Sequence, residues 1–464
     1  MNVAHLNLLY ISLLCFITAS IAFAQQDPSD PQGWDAVPSI LKRIFPPAFP
    51  DKDFIVTKFG AVGDGKTDCS RAFRKAIEKC NASGGGRVVV PKGTFLAGAI
   101  HLKSNVNLYI SKNATIRFSV DPNKYLPVVF TRWEGVECMN YSPLIYAYEQ
   151  ENIAVTGEGV LDGQGANDNW WSWKGKKEYG WEPGTPDQNE AREKLFEMGE
   201  SRVPVTQRVF GEGFFLRPNF FAPSKCKNVL LEGITFKNSP MWFINPVLCQ
   251  NVSIIGVTVE GLGPNNDGCD PESCTDVLIK NCLFNNGDDC IAIKSGRNAD
   301  GRRVNMPCEN IIVQGCRMKD GHGGVVIGSE MSGGVRNVYA ENDTMDSPKL
   351  DRVFRIKTNA MRGGIIENVF MRNIKVGEVA EAVVKIDFYY EEGDSGSFTP
   401  IVRNIEVKNI ESEKSKFGVW IRAYDRSPAE NIRIESCTFN NVAEPNVIEN
   451  VKNLDLIDVK INSK

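Results

Sequence analysis

Residues 226–237 read CKNVLLEGITFK, and the same pattern returns as CQNVSIIGVTVE at 249–260, CTDVLIKNCLFN at 274–285 and CENIIVQGCRMK at 308–319. In each copy an Asn or Asp is followed by aliphatic residues that alternate with other residue types. Alternation with a period of two is typical of a β-strand that turns one face inward. The four copies therefore predict a stack of equivalent strands.

The repeat continues through most of the chain. Nine copies begin, at intervals of 22 to 36 residues, at Asn228, Asn251, Asp276, Asn310, Asn337, Asn368, Asn404, Asn431 and Asn453. Looser copies begin at Asn105 and Asn152, and only Asp343 and Ser412 break the apolar columns six and eight positions after the Asn. Short coils of strands and turns that bury one another predict an all-β parallel β-helix. Asn suits the corner because it tolerates left-handed backbone and can bond the next Asn, so we expect about ten coils and a rod roughly 50 Å long.

The N-terminal end of such a stack needs a cover, because a sheet edge is otherwise exposed. Residues 68–80 have the spacing of a helix with one apolar face, formed by Ala72, Phe73, Ala76, Ile77 and Cys80. Asp68 fits the N-cap position, and the glycines at 84–86 would end the helix. We therefore expect a short N-terminal capping helix.

The first residues have the pattern of an export signal. Residues 6–23 are nearly all apolar or small and lead to Ala22-Phe23-Ala24, after which the chain turns polar. A membrane anchor is the alternative, but the apolar stretch is short for a span of about 20 residues. We expect a signal peptide over 1–24, a lead-in over 25–50 and a single β-helix domain over 51–464, in a protein that is secreted to the extracellular space or the periplasm.

Composition excludes several classes of function. Hydrophobic residues make up 42 % and charged residues 24 %, as in an ordinary globular protein. The 53 basic and 57 acidic residues leave a net charge of −4, without the basic excess of a nucleic-acid-binding protein. The three histidines are too few for a multi-histidine metal site, and we expect no metal and no cofactor.

Most of the 12 cysteines beyond the signal fall in or beside apolar columns, so we expect buried free thiols, with disulfides as the alternative.

Four short motifs interrupt the repeat where packing does not require them: NNDG at 265–268, GDDC at 287–290, GHG at 321–323 and RIK at 355–357. Asp288 and His322 each lie 12 residues after the Asn or Asp of their coil, so they should be neighbours on adjacent coils. Asp267 belongs to the coil before them. Arg355 and Lys357 belong to the coil after and, being two apart on a strand, point to the same side. The motifs predict one groove across four coils.

Such a groove has the groups that glycoside hydrolysis needs. An inverting enzyme uses a carboxylic acid and, about 6.5–9.5 Å away, a carboxylate that activates water, and adjacent coils can supply that separation. Repulsion among three carboxylates would keep one of them protonated near neutral pH. His322 can hold the acid by a hydrogen bond. Arg355 and Lys357 would pair with a negatively charged sugar, which predicts a uronate substrate.

In these motifs, and in FGAVGDG at 59–65, the chain resembles glycoside hydrolase family 28, the polygalacturonases and their relatives, from about Asp53 to the C-terminus. The resemblance implies a single-stranded, right-handed parallel β-helix of the pectin lyase-like type and inverting hydrolysis of the α-1,4-galacturonan of pectin. It also implies roles for seven residues: Asp288 as general acid, Asp267 and Asp289 as activators of water, His322 as support for the acid, Arg355 and Lys357 as ligands of the galacturonate carboxylate, and Asn265 as a further contact with substrate. Asn266 stands where many members have Thr.

Two polar segments, 167–217 and 389–400, interrupt the repeat. Loops that close one end of a groove favour exo action on a pectic polysaccharide or oligogalacturonide. The four tryptophans of the first segment either stack on sugars or pack on the rod.

Three alternatives stay open: a rhamnogalacturonan hydrolase, a pectate lyase with a calcium site and a base, and a non-catalytic carbohydrate-binding β-helix. We expect a monomer with no nucleic-acid partner and no membrane insertion after signal cleavage.

Overall fold

A computed structural model describes residues 33–463, so the predicted signal peptide lies outside the described residues. The chain winds into a rod with three sheet faces. The strands of the first face are Asp53–Ile55, Gly86–Val90, Val106–Ile110, Glu151–Gly157, Lys227–Glu232, Gln250–Ile255, Thr275–Lys280, Cys308–Gln314, Val335–Glu341, Ile365–Glu378, Ile401–Lys414, Ala429–Val442 and Val451–Ser463. The last four strands are long because they bend around a corner into the second face.

The other two faces complete each coil. The second face has the strands Asp64–Asp68, Gly93–Ala97, Ala114–Phe118, Val160–Asp162, Thr235–Lys237, Thr258–Gly261, Leu283–Asn286, Arg317–Met318 and Thr344–Met345. The third face has Ile100–His101, Ile145–Tyr148, Phe221–Ser224, Ile291–Ile293, Val325–Ile327, Arg352–Lys357, Ala382–Asp387, Phe417–Arg422 and Val447–Glu449. Three further short strands, Val129–Trp133, Val136–Asn140 and Val209–Phe210, form a separate small sheet beside the rod.

Every pairing between successive coils of the described chain is parallel, and the register shifts only near Asp68 and Val442, at the two ends of the rod. In the first face Val229 pairs with Val252, Val252 with Val277 and Val277 with Ile311, which are the residues that follow the corner Asn or Asp. Crossovers between parallel strands are right-handed, and the fold is the predicted right-handed parallel β-helix. Within 33–463 the first face has thirteen strands rather than about ten, because the first two lack a corner Asn.

The corner asparagines form a ladder along the rod. Each has a left-handed backbone, with φ between 55° and 63°. Each Nδ2 donates to the Oδ1 of the preceding corner residue at 2.7 to 3.2 Å. Asp276 breaks the series because a carboxylate cannot donate to Asn251. There the Oδ1 of Asn251 accepts from the backbone of Phe45 at 3.0 Å, and Arg43 binds Asp276 at 2.7 Å. The lead-in segment thus closes the gap in the ladder.

The interior is the set of apolar columns that the repeat predicts. All 12 cysteines of the described chain are buried and free, which confirms the expected thiols. The Cys274 thiol, for example, donates to the carbonyl of Pro246 at 3.1 Å. A small side chain with a weak donor therefore fits the column as Val or Ala does.

The α-helices of the described chain are Val37–Leu41, Ser70–Ala82, Asn189–Glu200 and Asn298–Val304, and the 3-10 turns are Gly33–Ala36, Val56–Phe59, Pro122–Tyr125, Trp170–Lys174, Lys177–Tyr179 and Val205–Gln207. Ser70–Ala82 is the predicted capping helix and buries the predicted face. Its N-cap is Cys69, so the assignment of Asp68 was wrong by one residue. The Asp68 carboxylate still accepts from the backbone of Ser70 at 2.9 Å, since the chain turns into the helix there. No helix between residues 33 and 463 is long and apolar enough to cross a membrane.

Three of the four tryptophans of the first polar segment, Trp170, Trp171 and Trp173, pack on the rod. Trp170 is buried edge-on against Tyr125 and Trp173. The indole of Trp171 donates to the carbonyl of Ser239 at 2.9 Å. Packing, rather than a platform for sugar stacking, therefore explains these three side chains.

Asp343, which breaks an apolar column, is buried inside the rod. Its Oδ1 accepts from the backbone of Cys316 at 2.7 Å, and its Oδ2 has no partner within the described chain. Burial raises the pKa of Asp343 to about 7, above the value near 3.9 of an unfolded chain. The unfolded state therefore loses a proton between these values while the folded state keeps it. Asp343 lowers the stability of the fold as pH rises through this window.

We predict that Asp343→Asn, which keeps the acceptor for Cys316 and cannot ionise, removes this loss of folding stability with rising pH. Between pH 5 and pH 8 the free energy of unfolding should fall by about 2 kcal/mol less in the variant than in the unmodified protein. Denaturant unfolding at the two pH values measures the difference. Parallel pH dependences in the two proteins would show that Asp343 is already ionised at pH 5.

Candidate functional site

The third face brings the four motifs together. Its coils are in register from Cys269 to Ile291, Val325 and Phe354. The first three of these residues follow the NNDG, GDDC and GHG motifs, and Phe354 precedes Arg355. Parallel stacking therefore carries the motifs of four coils to one place on the surface. The predicted neighbours do meet there.

Three carboxylates form the centre of the site. One oxygen from each of Asp267, Asp288 and Asp289 lies within 4.8 Å of the other two. Asp267 is 3 % exposed and Asp289 is fully buried, whereas Asp288 is partly exposed. The spacing is shorter than the 6.5–9.5 Å that we expected. The reason is that two of the carboxylates share one turn and the third lies on the adjacent coil.

Buried amides fix the turns that carry these carboxylates. The Nδ2 of Asn286 donates to the carbonyls of Asp288 and Asp289 at 2.8 and 3.0 Å. The Nδ2 of Asn266 donates to two backbone carbonyls of the preceding coil, both at 3.0 Å, next to Asp267. Asn266 is therefore a structural residue, and its difference from Thr affects the turn rather than the cavity.

Cations face the carboxylates at short distances. Nδ1 of His322 lies 2.9 Å from Oδ1 of Asp288. The Lys357 ammonium donates to Oδ2 of Asp289 at 2.6 Å, and Nη1 of Arg355 lies 3.7 Å from Oδ1 of Asp289. Lys357 and Arg355 thus neutralise a buried acid as well as facing the cavity.

The protons of the site are unevenly distributed. Burial, then the charge of Asp288, raises the pKa of Asp267 well above its usual range. Burial also acts to raise the pKa of Asp288, but the hydrogen bond from His322 outweighs it and holds that pKa below its usual range. The same hydrogen bond raises the pKa of His322 to about 9. Asp267 therefore keeps its proton to a higher pH than an ordinary aspartic acid does. Asp288 and His322 share a proton as a coupled pair.

Asn265 is held by an arginine that lies outside the four motifs. Its Oδ1 accepts from Nη2 of the buried Arg217 at 2.8 Å, and Arg217 also donates to two proline carbonyls. Burial lowers the pKa of Arg217 to about 10. The arginine turns the amide nitrogen of Asn265 away from itself, and that nitrogen donates to no acceptor of residues 33–463.

A buried lysine and glutamate complete the floor of the site. Nζ of Lys294 lies 3.7 Å from Asp267, 3.1 Å from Glu330 and 4.6 Å from the ring centre of Trp242. Lys294 follows Ile291–Ile293, whose coil register leads to the strand that ends in Lys357. An alignment of the third strands would have found it. Alignment on the first-strand Asn did not, because coil lengths vary.

The site opens into a cavity of about 410 Å³. Of the seven predicted residues, six line it, and Asp289 lies beneath its floor. The two inserted regions add Lys174, Arg192, Tyr390 and Glu391, which the motifs did not predict, and the turn between Val129–Trp133 and Val136–Asn140 adds Glu134. These side chains come from non-repeating loops, so no repeat column could have indicated them.

The donor set at the three carboxylates does not fit a calcium ion. They are the only group of acidic, His and Cys side chains in residues 33–463 whose donor atoms lie close enough to hold a metal. Calcium takes six to eight oxygen ligands, and each carboxylate here already has a cation beside it. The calcium site that a pectate lyase needs is not formed by this group.

Two family models match the sequence. The model described as "Glycosyl hydrolases family 28" matches residues 215–455, and "Rhamnogalacturonase A/epimerase, pectate lyase-like" matches 54–115. A probable polygalacturonase of Vitis vinifera is 26 % identical over 401 residues, which are 83 % of this chain and 74 % of that protein. An exo-poly-alpha-D-galacturonosidase of Dickeya chrysanthemi is 25 % identical, over 74 % of this chain and 58 % of that protein.

Solved structures agree with these matches. A hyperthermoactive exopolygalacturonase from Thermotoga maritima superposes with a TM-score of 0.89 at 46 % identity, covering 91 % of this chain and 95 % of that one. A family 28 exopolygalacturonase from Yersinia enterocolitica has a TM-score of 0.69 at 20 % identity, covering 89 % and 78 %, and shares the fold. The chain belongs to the family 28 glycosyl hydrolases.

Proposed function

We propose that this enzyme hydrolyses the α-1,4-galacturonosidic bonds of pectic galacturonan, with inversion, and removes units from a chain end. The observation that carries the proposal is the set of three carboxylates beside Arg355 and Lys357 in one cavity. An acid and a base are what glycoside hydrolysis needs, and a guanidinium with an ammonium suits a uronate carboxylate. The 46 % identity to an exopolygalacturonase supports the same substrate.

The Asp288–His322 pair supplies the proton to the leaving oxygen. His322 is protonated up to a pH of about 9 and lies 2.9 Å from Asp288. As negative charge develops on the glycosidic oxygen, the imidazolium proton passes to Asp288 and from Asp288 to that oxygen, which leaves His322 neutral. Asp288 is thus the general acid, and His322 ensures that the pair holds one proton at neutral pH.

Asp267 and Asp289 activate the attacking water. Each has an Oδ1 that forms no hydrogen bond within the described chain, so both oxygens can accept from a water molecule. Neither suits a covalent nucleophile. Asp289 is buried and bound by Lys357, and Asp267 has a raised pKa. Direct attack by water, which inverts the anomeric centre, follows from these constraints.

Removal of units from a chain end is supported by the walls of the cavity. The inserted region before Arg217 adds Lys174 and Arg192 to one wall, and the loop 389–400 adds Tyr390 and Glu391. An enzyme that cuts within a chain needs a groove open at both ends, whereas walls from two insertions suit a chain end. The signal-like N-terminus supports secretion, and we propose that the secreted enzyme acts as a monomer.

We predict that Asp288→Asn lowers the release of reducing ends from polygalacturonate by about 10² to 10⁴-fold, because the general acid is lost. Chromatography of early products from the unmodified enzyme should show monomer alone. Asp458→Asn, at an exposed position far along the last strand, is the control and should retain full activity. Full activity of Asp288→Asn, or unsaturated products that absorb ultraviolet light, would contradict the hydrolytic mechanism.

We also predict that His322 sets the alkaline limit of activity. The pair delivers its proton only below the pKa of His322, so kcat/KM should fall as pH rises through about 9. In His322→Gln the remaining proton sits on a carboxyl, and the alkaline limit should move at least one pH unit lower. His101→Gln, at a histidine that bonds Ser142 outside the cavity, should not move it. An alkaline limit unchanged in His322→Gln would remove the pair from the mechanism.

A further inference from the structure

Lys174 is a cavity cation without a counter-ion. The other two cavity lysines each contact a carboxylate, Lys294 at Glu330 and Lys357 at Asp289. Lys174 forms neither a salt bridge nor a hydrogen bond with any side chain of residues 33–463, although it is partly buried. The ammonium group of Lys174 is therefore available to an anionic ligand.

The surroundings of Lys174 make an ammonium group without a counter-ion energetically unfavourable. Burial lowers its pKa, and the charges of Arg217 and Arg192 lower it further against the opposing effect of Glu134 and Asp288. A desolvated cation beside other cations is unfavourable unless an anion binds there. The local field thus favours a negatively charged ligand.

Both cations of this wall are held in place. Lys174 ends the turn Trp170–Lys174, and Trp170 is 1 % exposed. Nε of Arg192 donates to Glu134 at 2.8 Å, and its guanidinium lies 4.5 Å from the ring centre of Phe196. Both Nη groups of Arg192 remain without an acceptor among residues 33–463. They can donate to a carboxylate in the forked geometry that arginine prefers.

Lys174 lines the same cavity as the RIK motif and lies near Arg217 and Asp288. Lys174 and Arg192 belong to the insertion that reaches Asn265 through Arg217, one coil before Asp288. The RIK motif lies two coils after Asp288. Every sugar of a galacturonan has a carboxylate, so two sugars joined by the scissile bond present one carboxylate to each side.

We propose that Lys174, with Arg192, binds the carboxylate of the galacturonate on the opposite side of the scissile bond from the unit bound by Arg355 and Lys357. This inference rests on the proposed function and extends it to a second site of charge recognition. The enzyme would then select for two adjacent uronates rather than one.

Kinetics of Lys174→Met test this recognition with trigalacturonate and its three singly methyl-esterified isomers as substrates. Loss of the ammonium should raise KM for trigalacturonate at least about tenfold, with kcat within about threefold, because binding rather than the proton transfer is affected. With one of the three esters the variant and the unmodified enzyme should have equal kcat/KM, since that ester removes the carboxylate that Lys174 binds. Lys174→Arg should restore most of the affinity.

Lys176→Met is the matched control, because Lys176 is exposed on the same loop and does not line the cavity. Circular dichroism checks that the variants fold. If the unmodified enzyme releases nothing from polygalacturonate, the proposed function fails. If it is active and Lys174→Met keeps the same KM, or discriminates against all three esters as the unmodified enzyme does, the role of Lys174 is wrong.

Discussion

Hydrogen bonds between the corner asparagines fix the relative position of the coils, and the site depends on that position. Each Asn holds a left-handed backbone and bonds the Asn of the preceding coil, so coils of different length begin their strands at the same height. The third-face strands then fall in register as well. Asp288 and His322 are 34 residues apart, yet they lie within hydrogen-bond distance because both stand at the same offset from a corner residue. Catalytic geometry here is a consequence of stacking.

The stacking also brings three carboxylates of like charge close together. Three carboxylates within 4.8 Å of one another repel, and the coils on either side supply the compensation. Lys357 binds Asp289, Lys294 approaches Asp267, and His322 shares a proton with Asp288. The three carboxylates therefore differ in their affinity for a proton.

Much of this arrangement could be predicted from the chain. Period-two alternation and recurring Asn residues indicate the rod, and the equal offset of Asp288 and His322 indicates their contact. Lys294 was within reach of a third-strand alignment and was missed because coil lengths differ. Lys174 and Arg192 could not be found in this way, because they belong to an insertion whose position depends on tertiary packing. The spacing of the carboxylates was also misjudged, since the turn that places Asp288 and Asp289 side by side has no regular geometry to read from sequence.

The stereochemistry of the first product tests the central claim most directly. The distance between the nearest carboxylate oxygens, 4.8 Å or less, is close to the roughly 5–5.5 Å typical of retaining enzymes. The charges argue otherwise, because the buried Asp289 is bound by Lys357 and burial raises the pKa of Asp267. Proton NMR of a digest at early times distinguishes the two. The account predicts β-galacturonate first, with the α anomer appearing only as the product mutarotates. The α anomer as the first product would mean that a carboxylate attacks the sugar, and would contradict the account.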